Sequence, residues 1–166
     1  MIVTPKDFLV YWHHKSQQGE NLAGILGTNA VLITDLNLLV QIASFVLILV
    51  ALTYKSRRRF KIHGSIMGFA VLLHFVTFLA AMGPSFIEGF SFLTSETMVT
   101  GVQTLWVHAI SGAVSLVLGI FLIVIWVPKA SNIKPCFGRK RLMDATAVTW
   151  TISLVFGIAT YIAFYV

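Results

Sequence analysis

Apolar residues along this chain gather into four long runs. The first covers Leu36 to Tyr54 and the second Ile62 to Met82. The third covers Val102 to Val127 and stops at Pro128, and the fourth covers Ala145 to Val166. None contains Lys, Arg, Asp or Glu. Each has the roughly 20 residues that a helix needs to cross a hydrocarbon core of about 30 Å. The expectation is an all-α, polytopic membrane protein, an antiparallel bundle of four transmembrane helices over residues 35–166. The stretch Leu22–Thr34 is also apolar but too short to span, and Asp35 separates it from the first run. Residues 1–34 are therefore expected to form an N-terminal interfacial or re-entrant segment. Phe8, Leu9, Tyr11 and Trp12 suit an amphipathic element with its rings at headgroup level. A basic stretch leading into an apolar core and a cleavage site is missing at the start, so no signal peptide is expected.

Composition agrees with the pattern. Apolar residues make up 57% of the 166 and charged residues 11%, against about 45–50% and about 25% in soluble domains. A water-soluble globule and a disordered chain are both excluded. The one cysteine, Cys136, excludes a disulfide within the chain and a Cys-ligated zinc site.

The net charge of +6 could point to nucleic acid, so the placement of the charges decides. Of the twelve basic residues, ten lie in two alternate connections. Lys55, Arg57, Arg58, Arg59 and Lys61 join the first two runs; Lys129, Lys134, Arg139, Lys140 and Arg141 join the last two. The connection between runs two and three has no basic residue and carries Glu88 and Glu96. Short basic loops mark the cytoplasmic side. The expectation is a multi-pass cell-membrane protein with both termini outside, with the bilayer and no nucleic acid as its partner. Cys136 then faces a reducing compartment and reads as a free thiol.

Histidine is the informative residue type inside these runs, because burying an ionisable or ligating side chain in a membrane costs free energy. His63 and His74 stand 11 residues apart on run two, which at 100° per residue puts both on one helical face about 16.5 Å apart. Met67 lies on the same face, about 40° from His63. His108 on run three falls within about 5 Å of the depth of His74. His74 and His108 could therefore share a metal or ligate one haem from opposite sides. His63 and Met67 are further candidate cofactor ligands, and a structural role inside the core is the competing reading for each histidine. Met143 or Asp144 could approach His63 from the start of run four, although Asp144 is expected to pair with the neighbouring Arg and Lys residues. His13 and His14 are adjacent and diverge by about 100° on a helix, which makes them poor partners for one metal there, whereas in an extended outer segment they could bind copper.

Several polar and small-residue stripes accompany the histidines. Gly112, Ser115 and Gly119 follow His108 and either let helices approach or leave room for a flat cofactor. Gly64 and Gly68 form a GxxxG pair. Thr146, Thr149, Ser153, Gly157 and Thr160 mark an inward face on run four, and Asn37, Gln41 and Ser44 mark one on run one. With no carboxylate in any run, a proton-coupled transporter is not expected. The stretch Gly83–Phe92 reads as an outer loop whose Phe86, Phe90 and Phe92 suit docking to a partner or the bilayer surface.

Taken together, Asn29-Ala30, Leu36-Asn37, the basic loop entering His63-x3-Met67, Trp106-Val107-His108, and Arg141-x-Met143 leading to Trp150, Gly157 and Tyr161 form an ordered set. In these motifs, over roughly residues 29–165, the chain resembles the small four-helix membrane proteins of the CtaM type. Those are associated in bacteria with cytochrome oxidase maturation and occur also in archaea. His63 and His108 match family positions. The family also carries histidines after span two and before span four, where this chain has Met82-Gly83-Pro84 and Gly138-Arg139-Lys140.

The resemblance implies a non-catalytic membrane protein: a haem- or copper-linked maturation factor, or an accessory subunit of a respiratory or metalloenzyme complex, with other membrane subunits as partners. No GxSxG, HExxH, Walker, CxxC or GxGxxG pattern points to bond-breaking chemistry. The alternative is a small b-type haem electron carrier using His74 and His108, with a quinone-linked carrier as a variant.

Overall fold

The structure is a computed structural model and describes residues 24–28, 30–95, 97–127 and 139–166. It is all-helical over these residues, with helices α1 (Leu32–Ser56), α2 (Phe60–Thr77), α3 (Gly83–Ser95), α4 (Thr100–Trp126) and α5 (Lys140–Tyr165). A π-helical turn, Phe78–Met82, joins α2 to α3. Four stretches are long and apolar enough to cross a membrane: Leu32–Ser56, Phe60–Ser95, Thr100–Trp126 and Lys140–Tyr165. The four-helix bundle expected from the apolar runs is therefore present. His13, His14 and Cys136 lie outside the described residues.

Burial runs in the sense a lipid solvent favours. Phe69, Leu72, Val117 and Val124 on the outer faces are all more than half exposed. Gln41, Ser44, His63, His74, Ser115, Thr146 and Ser153 are turned inward. Ile48, Ala70, Val71, Leu116 and Trp150 form the apolar cluster at the centre.

Two boundaries differ from the sequence expectation. Helix α1 begins at Leu32, so Asp35 lies in its first turn rather than ahead of the span. The span thus includes a carboxylate, correcting the expectation of four uncharged runs. Second, Gly83–Phe92 is helix rather than loop. Pro84 has no N–H, and its ring would meet the carbonyl four residues back in an α-helix. The chain answers with a wider turn, in which the Gly83 N–H donates to the Phe78 carbonyl five residues back. Helical structure continues through the proline. The 36-residue stretch Phe60–Ser95 is about 54 Å long at 1.5 Å per residue, well beyond the roughly 30 Å hydrocarbon core. Its final part, α3, folds onto the start of α4. Phe92 and Leu93 pack with Val102, Phe86 meets the Trp106 ring edge-on at 5.4 Å, and the Trp106 Nε1–H donates to the Leu93 carbonyl. Two of the three phenylalanines expected to be free for docking are thus used inside the chain, and Phe90 stays half exposed.

The glycines are spent on close helix approach. A Cβ at Gly119 would lie 2.8 Å from a methyl of Val71, and one at Gly64 would overlap the Trp126 ring. A Cβ at Gly112 would lie 3.0 Å from the Ser153 hydroxyl. Gly68 meets nothing within 4 Å, so the Gly64/Gly68 pair is not one packing motif. Gly119→Leu should cost about 1–3 kcal/mol by overpacking against Val71, read as a lower melting temperature in detergent. Gly68→Ala should leave the melt unchanged or slightly raised, and a large loss there would contradict the packing described.

Candidate functional site

Every polar side chain facing the bundle interior must find its partner within the protein, because hydrocarbon supplies none. Many hydroxyls bond back to their own helix. Ser111, Ser115, Thr146 and Thr160 reach the carbonyls of Val107, Gly112, Leu142 and Phe156. Thr77 does the same toward Leu73 and His74. The hydroxyls nearest in sequence to the histidines are thus occupied with their own helices.

The histidines reach across helices instead. His63 is buried at 3% exposure, and its Nδ1 lies 2.9 Å from the Ala51 carbonyl of α1. The His108 Nδ1 lies 2.8 Å from the Ser153 carbonyl of α5, with the Ser153 hydroxyl 3.2 Å away. A carbonyl only accepts, so Nδ1 carries the proton in both neutral rings and the lone pair falls on Nε2. This is the arrangement in which protein imidazoles are presented as ligands.

His74 differs. It is 1% exposed, and neither ring nitrogen makes a well-formed hydrogen bond among the described residues, although the Gly112 backbone of α4 lies beside the ring. Its ring lies against Trp150, with centroids 4.8 Å apart, and the Trp150 Nε1 is unpartnered as well. The Ser44 hydroxyl and Asn37 Oδ1 share that condition. The mid-bundle layer around His74 therefore carries unmet hydrogen-bonding capacity.

His74 and His108 lie near enough for their charges to interact, but each ring is packed on a different neighbour. His108 packs on α5, where a Cβ at Gly157 would lie 2.8 Å from its Nδ1. His74 packs on Trp150. A haem between α2 and α4 needs an open slot, yet Gly119 is filled by Val71 and Gly112 faces Ser153. The small-residue stripe is used for helix contact, and as the helices stand a porphyrin does not fit there. Among the described residues no group of three or more His, Cys, Asp or Glu side chains could hold a metal ion.

Space opens at the basic end of the bundle instead. A cavity of about 90 Å³ is lined by His63, Met67, Met143 and Asp144, among others. Asp144 pairs with Lys55 at 3.8 Å, as its basic surroundings led us to expect.

The opposite end holds a second polar centre, which the sequence did not reveal as one. Asp35 is fully buried. Its Oδ1 accepts from the Tyr161 hydroxyl at 2.5 Å and its Oδ2 from the Leu26 N–H at 2.9 Å. The Thr28 hydroxyl lies 2.6 Å from that of Tyr161. A Cβ at Gly24 would lie 2.5 Å from Asp35 Oδ2, and Gly27 sits at φ +69, where a side chain is strained. Residues 24–28 thus wrap over the carboxylate and join the start of α1 to the end of α5.

The chain matches no family model, no curated protein and no solved structure.

Tyr161→Phe should destabilise the protein by about 1–3 kcal/mol, because the buried Asp35 loses a donor that water cannot replace. The same change should expose the Gly24–Thr28 stretch to protease. An unchanged melt and unchanged cleavage would contradict this role of Tyr161.

Proposed function

We propose that this chain is a non-catalytic integral membrane protein that serves a respiratory or metalloenzyme complex, as a copper-linked maturation factor or an accessory subunit. The observation that carries the reading is the state of His63 and His108. Each is held through Nδ1 by a backbone carbonyl of a neighbouring helix, which leaves Nε2 as the ligating nitrogen. The resemblance to CtaM-type proteins at these two positions supports it. The packed glycine stripe favours an ion over a porphyrin. In this reading the basic connections lie in the cytoplasm and both termini outside, and the outward faces of the helices meet lipid or other subunits. The alternative b-type haem carrier draws support from one observation, the two unpartnered ring nitrogens of His74.

The test is purification from native membranes in mild detergent, with an absorption spectrum, metal analysis and identification of co-purifying chains. We expect subunits or assembly factors of a metal-containing membrane complex, and no haem on this chain once it is separated from them. A protein recovered alone with stoichiometric haem, lost on His74→Ala or His108→Ala, would replace this reading with the carrier. In intact cells, a cysteine at Ser95 should react with an impermeant reagent and Cys136 should not; the reverse would invert the orientation.

A further inference from the structure

We propose that the cavity at the basic end is a copper(I) site, with Nε2 of His63 and the thioethers of Met67 and Met143 as ligands. This rests on the functional reading above and names its cargo.

The His63 ring borders the cavity with its Nδ1 committed to the Ala51 carbonyl, so the nitrogen left to bind a metal is Nε2. Met67 stands one turn further along α2, about 6 Å up the axis, and borders the same space. Met143 comes from α5, so the three donors belong to two helices. Imidazole and thioether are neutral donors, and thioether sulfur selects Cu(I) among biological metals.

Size and charge narrow the occupant further. At about 90 Å³ the space is smaller than the roughly 150 Å³ cavity that takes a benzene ring. The space is partly open and mainly apolar in its lining, and it has room for an ion with a water or two. The carboxylate in the lining, Asp144, is already paired with Lys55, and Arg139 adds a further positive charge. Hard divalent cations want six or more oxygen ligands and would meet a lining of net positive charge. A monovalent soft ion bound by neutral donors needs no oxygen shell and meets half the repulsion of a divalent one. In the orientation proposed, this end faces the reducing side of the membrane, where copper is Cu(I).

The experiment is anaerobic titration of the full chain in detergent, with reductant present and bicinchoninate competing for Cu(I). One Cu(I) per chain is expected, with sulfur in its X-ray absorption shell. His63→Ala, Met67→Leu and Met143→Leu should each weaken binding about tenfold or more, at the scale of disturbed metal sites. The two Met→Leu changes nearly conserve volume and should keep the fold, which circular dichroism verifies. Cys136→Ser and the double change His13→Ala with His14→Ala should leave the affinity unchanged. The proposal is overturned if no Cu(I) binds. It is equally overturned if Cys136→Ser or the His13/His14 change abolishes binding, or if both folded Met→Leu variants bind as the parent does. Failure here leaves the accessory-factor reading intact, because that stands on the co-purifying chains. A chain that binds copper but recovers no partner would have the opposite outcome.

Discussion

The hydrocarbon interior sets the terms for this protein: a polar group inside the bundle can be answered only by another part of the chain. Backbone groups meet that condition within the helices. Serine and threonine meet it with a carbonyl three or four residues back. Histidine and aspartate need partners on other helices, and those partners fix how the bundle is assembled. His63 ties α2 to α1 and His108 ties α4 to α5, each through Nδ1 and a carbonyl. Asp35 ties α1 to α5 through Tyr161. Where the condition is not met, at His74 and Trp150, the structure carries a cost of about 1–3 kcal/mol per group unless something binds there.

The candidate chemistry grows from the same condition. A carbonyl that satisfies one imidazole nitrogen also sets the tautomer and aims the other nitrogen. At His108 the ring lies against α5 and the small-residue stripe nearby is filled by neighbours. At His63 the other nitrogen belongs to a ring bordering a cavity that also receives two methionines. The same local device serves both rings, and the space beside His63 sets it apart from His108.

Much of the fold was legible in the sequence because lipid solvation leaves long apolar runs, and alternate basic loops separate them. The shared inward face of His63 and His74 followed from helical periodicity, and the Asp144 ion pair from local charge. What stayed hidden depends on contacts between distant segments. Asp35 and Tyr161 are 126 residues apart, so nothing local marks the aspartate as buried. Ser153 and Ala51 serve the histidines through backbone carbonyls, which have no sequence signature. Gly83–Phe92 read as a loop, yet a five-residue register carries the helix past Pro84. Gly64 and Gly68 look equivalent as a motif, and only the Trp126 ring distinguishes them.

The central claim, that cross-helix carbonyls hold His63 and His108 with Nδ1 protonated and Nε2 free to ligate, is most directly tested by nitrogen-15 NMR of the imidazoles in the membrane-reconstituted protein. Histidine substitutions assign the signals. The account predicts the neutral Nδ1–H tautomer for both residues, with Nε2 in the unprotonated range. Finding Nε2–H tautomers at His63 and His108 would contradict it, because an unprotonated Nδ1 cannot donate to a carbonyl.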